Sequence, residues 1–171
     1  MVDDDADLEI RPATVDDARD IATVHIASWR EAYAGLISEE FLASLDVDRR
    51  AEEWRTHLAS PTVRTWVAVH EATIRGFLAL GPSRDEDASA TTLEIYAIYL
   101  EPSAWGSGIA RELLRTVTAE VPPHVPVTLW ALAANERARH FYRRHGFAVD
   151  GVERIEEIGG STHREVRYVR S

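Results

Sequence analysis

The sequence contains no cysteine and no lysine, since all 19 basic residues are arginine. Without cysteine, the chain cannot form disulfide bonds, cysteine-based zinc sites or a thiol nucleophile. Without lysine, it cannot form a Schiff base with a carbonyl substrate. These two absences remove several classes of enzyme and metal-binding protein.

The sequence also lacks long apolar runs and an excess of positive charge. Its formal net charge is −10, with 29 acidic against 19 basic residues. Phosphate binding needs a dense positive surface, so nucleic acid is not expected as the main partner. No apolar run approaches the length that spans a membrane, and Met1 to Asp5 is acidic where a signal peptide is basic. We therefore expect a cytoplasmic protein that binds neither nucleic acid nor membranes.

Length and composition are typical of one compact domain. The 171 residues are 45% hydrophobic, which is enough for one substantial core. We predict an acidic tail over residues 1–7 and a single domain over residues 8–171. Helical patterns come first, and strands then alternate with helices. This order indicates an α/β (α+β) domain with one mixed, mostly antiparallel sheet.

A glycine-rich turn between a strand and a helix is the most informative segment. The strand spans about residues 91–100, the turn contains Gly106 and Gly108, and helical spacing of apolar residues begins at Ile109. The first turn of a helix offers unpaired N–H groups and a partial positive charge, and glycines let a phosphate come close to them. Taken alone, the pattern also fits an ordinary strand–turn–helix connection, because G-x-G-x-x-G and the P-loop motif are both absent.

A second pattern predicts a helix that begins after Asn135 and ends at Gly146. Asparagine is a good N-cap, and glycine is the usual left-handed residue after a helix. The apolar face of this helix consists of Ala138, Phe141, Tyr142 and His145. On pattern alone, Tyr142 is a core residue.

Together the two segments resemble the GCN5-related N-acetyltransferase (GNAT) family. Trp105-Gly-Ser-Gly-Ile-Ala110 is similar to the family's turn, [Gln/Arg]-x-x-Gly-x-[Gly/Ala], with Trp105 where Gln or Arg is usual. Asn135-x-x-Ala-x-x-Phe-Tyr-x-x-x-Gly-Phe147 resembles the family's Asn…Phe-Tyr…Gly-Phe helix. The resemblance spans about residues 8–170. It implies a central sheet of about six or seven strands, flanked by helices and splayed where acetyl-CoA binds.

The resemblance also implies acetyl-CoA as co-substrate. The backbone of β-strand residues would pair with pantetheine, one of their amides would polarise the thioester carbonyl, and the turn would hold the pyrophosphate. The residues assigned to the cofactor are Ile98, Tyr99, Leu100, Gly106, Ser107, Gly108, Ile109, Ala110, Arg111, Asn135, Ala138 and Tyr142. The histidines show no metal-ligand spacing, so we predict no metal.

Two residues are candidates for catalysis. Tyr142 is the candidate general acid for the leaving thiolate, because its match to the family's Phe-Tyr motif outweighs the core interpretation. Glu94 is the candidate general base, directly or through water, since a carboxylate on an apolar strand is costly unless it faces a cleft or a partner. The alternative for Glu94 is a solvated charge on the open face of the sheet. Tyr96 lies on the same nominal face.

The expected reaction is acetyl transfer to a primary amine by direct attack in a ternary complex. A non-catalytic acyl-CoA-binding or sensing domain and a transferase of a longer acyl group remain alternatives. The acceptor is expected to be a small-molecule or peptide amine, with Trp29, Tyr33 and Tyr96 as candidate contacts. Nearby acidic residues favour a cationic amine or serve only to keep the surface soluble; they are Glu31, Glu39, Glu40, Asp85, Glu86 and Asp87. The family resemblance implies a homodimer.

Overall fold

The computed structural model describes residues 7–171. The acidic tail predicted for residues 1–7 lies outside the described residues, apart from Asp7, whose carboxylate accepts a hydrogen bond from the Glu71 amide (3.2 Å). The described part contains one sheet of seven strands. They are β1 (Leu8–Pro12), β2 (Arg64–His70), β3 (Thr73–Pro82), β4 (Leu93–Leu100), β5 (Val127–Leu132), β6 (Ala148–Ile158) and β7 (Ser161–Arg170).

Helices cover both faces of this sheet. They are α1 (Ala18–Ala32), α2 (Glu39–Ser44), α3 (Val47–Ala59), α4 (Ile109–Thr118) and α5 (Glu136–Arg144). Two of them begin at capping residues visible in the sequence. Ser38 Oγ accepts the Phe41 amide at the start of α2, and Asn135 Oδ1 accepts the Ala138 amide at the start of α5 (both 3.2 Å). As predicted, Gly146 follows α5 in a left-handed conformation (φ 88°).

The strand order is β1-β2-β3-β4-β5-β7-β6, and the pairing of β4 with β5 is parallel whereas the other pairings along residues 7–171 are antiparallel. This confirms the predicted mixed, mostly antiparallel sheet. The parallel pairing extends over two residue pairs, Leu93 with Val127 and Glu94 with Thr128. Beyond Glu94 the two strands separate. The sheet is therefore open at its centre.

Each face of the sheet has its own core. On one face α1 and α3 pack around Ile21, Trp54 and Phe77. On the other face α4 contributes Leu113 and Val117, which pack with buried residues of α5 and the strands. Because separate helices cover the two faces, the opening between β4 and β5 is reached from both α1 and α5.

An aromatic cluster joins α1, α3, β3 and β4. His25 stacks on Tyr99 with ring centroids 5.0 Å apart, and Trp54 Nε1 donates a hydrogen bond to His25 Nδ1 (3.2 Å). Desolvation, with smaller contributions from Arg50 and His57, lowers the pKa of His25 to about 3. The folded protein therefore holds this imidazole neutral well below the pH at which an exposed histidine is protonated.

This histidine should make the protein less stable in acid. Its pKa is lower in the folded chain than the usual 6.5, so the stability it contributes is present above pH 6.5 and is lost as the pH falls towards 3. The expected loss is about 1.4 kcal/mol per pH unit in that window. His25→Asn keeps an acceptor for Trp54 and does not titrate. Denaturant unfolding between pH 7 and pH 4 should show the stability gap between wild type and variant shrinking at about this slope; parallel curves would contradict the prediction.

Candidate active site

A cleft of about 770 Å³ occupies the opening between β4 and β5. This volume lies in the range of pockets that hold drug-sized ligands. Residues of α1, β4, β5, α5 and the glycine-rich turn line it. Because β5 pairs with β4 only as far as Glu94, the backbone of β4 from Ile95 to Leu100 faces the cleft without a strand partner on that side, within the described residues. An extended ligand can bond to this edge as an additional strand would.

The glycine-rich turn closes one end of the cleft. Gly106 (φ 78°) and Gly108 (φ 90°) both have left-handed conformations, and a side chain built on either would meet nothing within 4 Å. The Glu112 amide is bonded to the Gly108 carbonyl (3.1 Å), so the amides of Ala110 and Arg111 belong to the open first turn of α4. The turn thus presents N–H groups and open space, which suit a phosphate.

Trp105, at the position where the family has Gln or Arg, lies beside this turn. Its Nε1 donates to the Leu100 carbonyl oxygen (3.2 Å), and the Arg137 guanidinium lies 3.9 Å from the centroid of its ring. Arg137 lines the cleft from α5, as do Arg144 and His145. Sequence reasoning missed these three basic residues. The basic character of the helix after Asn135 was the available signal.

Three tyrosines surround the middle of the cleft. Tyr33, Tyr99 and Tyr142 all line it, from α1, β4 and α5 respectively. Burial raises the pKa of each hydroxyl. For Tyr142 the neighbouring hydroxyls of Tyr99 and Tyr168 act in the same direction. All three phenols are therefore protonated at neutral pH and can donate hydrogen bonds.

Most of the residues predicted from the sequence line this one cleft, from two sides. From the cofactor set they are Ile98, Tyr99, Leu100, Gly106, Ser107, Gly108, Ala110, Arg111, Asn135, Ala138 and Tyr142. Tyr33 and Tyr96 from the acceptor set also line it. Ile109 lies in the core beneath the turn instead, and its amide N–H donates to Ser107 Oγ (3.4 Å).

Glu94 and Trp29 lie outside the cleft lining. Glu94 is 4% exposed, and its carboxylate accepts hydrogen bonds from the Arg84 amide (3.0 Å) and guanidinium (3.4 Å). The same Arg84 stacks over Tyr96, whose hydroxyl donates to the Pro82 carbonyl. Trp29 packs against His25, and its Nε1 is buried without a hydrogen-bond partner among residues 7–171.

The acidic residues that the sequence analysis associated with the acceptor divide into an ion-paired group and an exposed group. Arg167, which is 8% exposed, binds Asp85, Asp87 and Asp150 at 3.3, 2.7 and 2.6 Å. Asp85 also accepts from Trp130 Nε1 (3.0 Å). Glu39, Glu40 and Glu86 are exposed and do not line the cleft. Over the described chain, Glu31 is the acidic residue that lines it.

The charge of the cleft is therefore divided between its two ends. Arg111, Arg137 and Arg144 lie at the end with the glycine-rich turn, and Glu31 lies on α1 at the other side. Trp130, which sequence reasoning did not single out, contributes an aromatic wall from β5. Within residues 7–171, no cluster of histidine and acidic side chains has the arrangement of a metal site. None of the helices described is long and apolar enough to cross a membrane.

The model of the acetyltransferase (GNAT) family matches residues 26–147, a range that contains all the residues that line the cleft. The chain belongs to the GNAT family. This confirms the resemblance noted in the sequence, and relatives named N-acetyltransferases agree that the chain is an N-acetyltransferase.

Relatives extend over most of the chain. YuaI of Bacillus subtilis (strain 168), named an uncharacterized N-acetyltransferase, is 29% identical over 161 residues, covering 88% of this chain and 90% of YuaI. A 5-NmdU N-acetyltransferase of Pseudomonas phage PaMx11 is 36% identical over 94 residues, which cover 55% of this chain and 61% of the phage protein. The PaiA N-acetyltransferase of Thermoplasma acidophilum, solved in complex with coenzyme A, has the same fold (TM-score 0.73, 20% identity, covering 96% of this chain and 98% of PaiA).

Proposed function

We propose that this GNAT protein transfers an acetyl group from acetyl-CoA to a primary amine by direct attack in a ternary complex. The observation that carries the proposal is the cleft itself. It joins the unpaired edge of β4, the open amides of the turn and the Tyr142 hydroxyl in one continuous space. The proposal extends the family assignment to the acyl group, the order of events and individual residues.

The cofactor would lie along β4 and end at the turn. The β4 backbone at Ile98 to Leu100 would pair with pantetheine, and the amides from Gly106 to Arg111 would bind the pyrophosphate. Asn135 and Ala138 would contact the pantetheine arm from α5. The turn contains no basic residue before Arg111. Arg137, which lies on the face of Trp105, adds a positive charge near it. The bound thioester supplies the activated acetyl group.

The residues in the middle of the cleft would stabilise the negative charge that develops during the reaction and would transfer protons. The Ile98 amide would donate to the carbonyl oxygen as it gains negative charge during attack. The Tyr142 hydroxyl would give its proton to the leaving thiolate. Glu94 would act as general base through water, since its carboxylate does not line the cleft. Glu94→Gln tests this last role, because a base lost in this way lowers kcat and not acetyl-CoA affinity.

The acceptor would enter beside α1. Tyr33, Tyr96 and Trp130 offer aromatic walls, and Glu31 offers a negative charge that the described residues do not neutralise in an ion pair. Aromatic faces and a carboxylate together attract a cationic amine. Because Asp85 and Asp87 are ion-paired with Arg167 and do not line the cleft, we expect Glu31 to be the carboxylate that attracts the amine.

An amine screen tests this function directly. Release of coenzyme A can be followed with a thiol reagent, and the absence of cysteine from the chain removes any background reaction. Polyamines and aminoglycosides are expected to be acetylated faster than neutral aromatic amines. Glu31→Gln should raise the KM of the cationic amine about threefold to tenfold and leave the KM of acetyl-CoA unchanged. Asp20→Asn is the matched control, because Asp20 is exposed on the same helix outside the cleft.

Four results would count against the proposal. Binding of acetyl-CoA without turnover of any amine would favour the non-catalytic sensing domain. Faster turnover with a longer acyl-CoA would show that the proposed donor, acetyl-CoA, is wrong. A preference for neutral aromatic amines would contradict the proposal that the acceptor is a cationic amine. Equal KM values of the amine for Glu31→Gln and wild type would contradict it as well.

A further inference from the structure

A hydrogen bond between two distant parts of the chain holds the indole of Trp130 at the wall of the cleft. Trp130 Nε1, on β5, donates to both carboxylate oxygens of Asp85, at 3.0 and 3.3 Å. Asp85 lies in the loop between β3 and β4, 45 residues away along the chain. Trp130 is half-buried and lines the cleft, whereas Asp85 does not line it. The bond therefore fixes a side chain of the cleft from outside the cleft.

Trp130 lies on the side of the sheet at which the acceptor would enter. Successive side chains of a strand point to opposite faces, so Trp130 shares its face with Leu132. Leu132 packs in the cluster that contains Tyr33, at the end of α1. Leu129 and Ala131, which point the other way, belong to the core beneath α4. Trp130 thus faces the α1 side of the sheet.

Asp85 is itself held in place by Arg167. Arg167 lies on β7 directly opposite Trp130, and its Nη1 donates to Asp85 Oδ2 (3.3 Å). It also forms two hydrogen bonds of 2.7 Å with Asp87 and one of 2.6 Å with Asp150. Paired bonds between a guanidinium and a carboxylate have a defined geometry. The loop that carries Asp85 is therefore tied to the sheet at the point where Trp130 needs a hydrogen-bond partner.

The indole is also held across one of its faces. The Arg154 guanidinium lies 4.1 Å from the centroid of the ring, and Glu165 binds this guanidinium at 2.8 Å. A cation over the face of an indole is attracted by the ring. With its N–H bonded to Asp85 and one face covered by Arg154, the ring cannot rotate without losing a contact. The cleft thus meets an indole of fixed orientation.

We infer that Trp130 is a specificity-determining residue for the amine acceptor and that Asp85 is the positioning residue that holds its indole. The inference rests on the proposed function, which brings the acceptor in beside α1. An indole fixed in one orientation limits the space on the β5 side of the acceptor, so it disfavours bulky amines. An indole without its hydrogen bond would move aside and admit them.

Steady-state kinetics with a linear amine, spermidine, and a bulky one, kanamycin, tests the inference. The quantity compared is the ratio of kcat/KM for kanamycin to kcat/KM for spermidine. Trp130→Ala is expected to raise this ratio about tenfold and to leave the KM of acetyl-CoA unchanged. Asp85→Ala should raise it about threefold, since one hydrogen bond contributes modestly. Asp85→Asn keeps an oxygen that accepts the indole N–H, so it should restore the ratio to within about twofold of wild type.

Two further variants separate positioning from a general effect on the fold. In the Trp130→Ala background, Asp85→Ala should change the ratio no further, because the side chain that it positions is gone. Trp130→Phe keeps a ring without the N–H group, so it should match Asp85→Ala, and it tests the inference even if Trp130→Ala fails to fold. Glu86→Ala is the matched control, because Glu86 is exposed in the same loop and does not line the cleft.

The outcomes distinguish this inference from the proposed function. An unchanged ratio in Trp130→Ala overturns the inference and leaves acetyl transfer to an amine intact. An equal effect of Asp85→Ala with and without Trp130 would show that Asp85 does not act through the indole, and its positioning role would be wrong. If wild type acetylates neither amine, the proposed cationic acceptor is wrong and the inference falls with it. Circular dichroism of each variant confirms that a changed ratio comes from folded protein.

Discussion

Replacement of Tyr142 by phenylalanine is expected to lower kcat about 10²- to 10³-fold and to leave the affinity for acetyl-CoA nearly unchanged. The hydroxyl is the proposed proton donor to the leaving thiolate. Burial raises its pKa, so it stays protonated across the pH range of the assay. The ring itself packs against Phe147 and Tyr168, with centroids 6.1 and 5.8 Å away, and phenylalanine preserves that packing. The variant therefore removes the hydroxyl group and preserves the packing of the ring.

Steady-state kinetics and calorimetric titration together check this prediction. The matched control is Tyr168→Phe, which removes one buried hydroxyl from an adjacent ring that does not line the cleft. That hydroxyl accepts a hydrogen bond from Arg139 (2.9 Å), so its loss should affect stability and leave kcat within about twofold. If Tyr142→Phe kept more than a third of the wild-type kcat, Tyr142 would be a core residue and the thiolate would leave without its help.

The parts of the site that the sequence predicted are those in which nearby residues determine the geometry. Gly108 and the helix after it follow one another directly, so the open amides of the turn could be inferred from composition and order. Asn135 and Gly146 mark the two ends of α5, and the spacing between them places Tyr142 on its inward face. The order of helical and strand patterns predicted a mixed, mostly antiparallel sheet, whereas the expectation of about six or seven strands came from the family resemblance.

The sequence pattern of a strand or helix does not specify the direction in which the side chains of Glu94 and Trp29 point, because that direction depends on contacts with other elements. The register of β3 against β4 shifts between Ala79 and Leu80, which leaves Tyr96 without a direct partner opposite. Such a bulge redirects the side chains next to it. Glu94 then contacts Arg84 of the loop between β3 and β4 rather than the cleft.

Charges near the acceptor could be counted from the sequence but not assigned. Asp85 and Asp87 form ion pairs with Arg167, which is about eighty residues away along the chain. Trp130 enters the cleft only because β5 separates from β4. Contacts between residues so far apart in sequence form only when the sheet folds, so no local sequence pattern predicts them. The glutamate that lines the cleft, Glu31, looked no different in sequence from the others.

Replacement of Gly108 by glutamate should weaken acetyl-CoA binding more than a hundredfold while the protein stays folded. Gly108 has a left-handed conformation, and a side chain there would extend into open space over the turn. That space is the proposed pyrophosphate position, so the carboxylate would meet a like charge and block the amides. The conformational cost to the fold itself is about 1–2 kcal/mol, because a non-glycine residue adopts this φ reluctantly.

A matched variant distinguishes the effect of backbone strain from the effect of blocking the pyrophosphate site. Gly151, on β6, has nearly the same φ (89°) and also meets nothing within 4 Å. Gly151→Glu should therefore show a similar drop in melting temperature and normal acetyl-CoA binding by calorimetry. Arg137→Gln, titrated in the same series, is expected to bind about fivefold more weakly, since it loses one cation near the same phosphates.

The comparison of these variants decides what the turn does. If Gly108→Glu loses binding and Gly151→Glu does not, the loss comes from charge and bulk at the turn, and the pyrophosphate site is located there. If both bind as wild type does, the amides of the turn do not hold the cofactor, and the arginines of α4 and α5 would have to bind it without them. If the wild type itself does not bind acetyl-CoA, the turn is only a connection between β4 and α4, and the proposed reaction must be abandoned even though the family assignment stands.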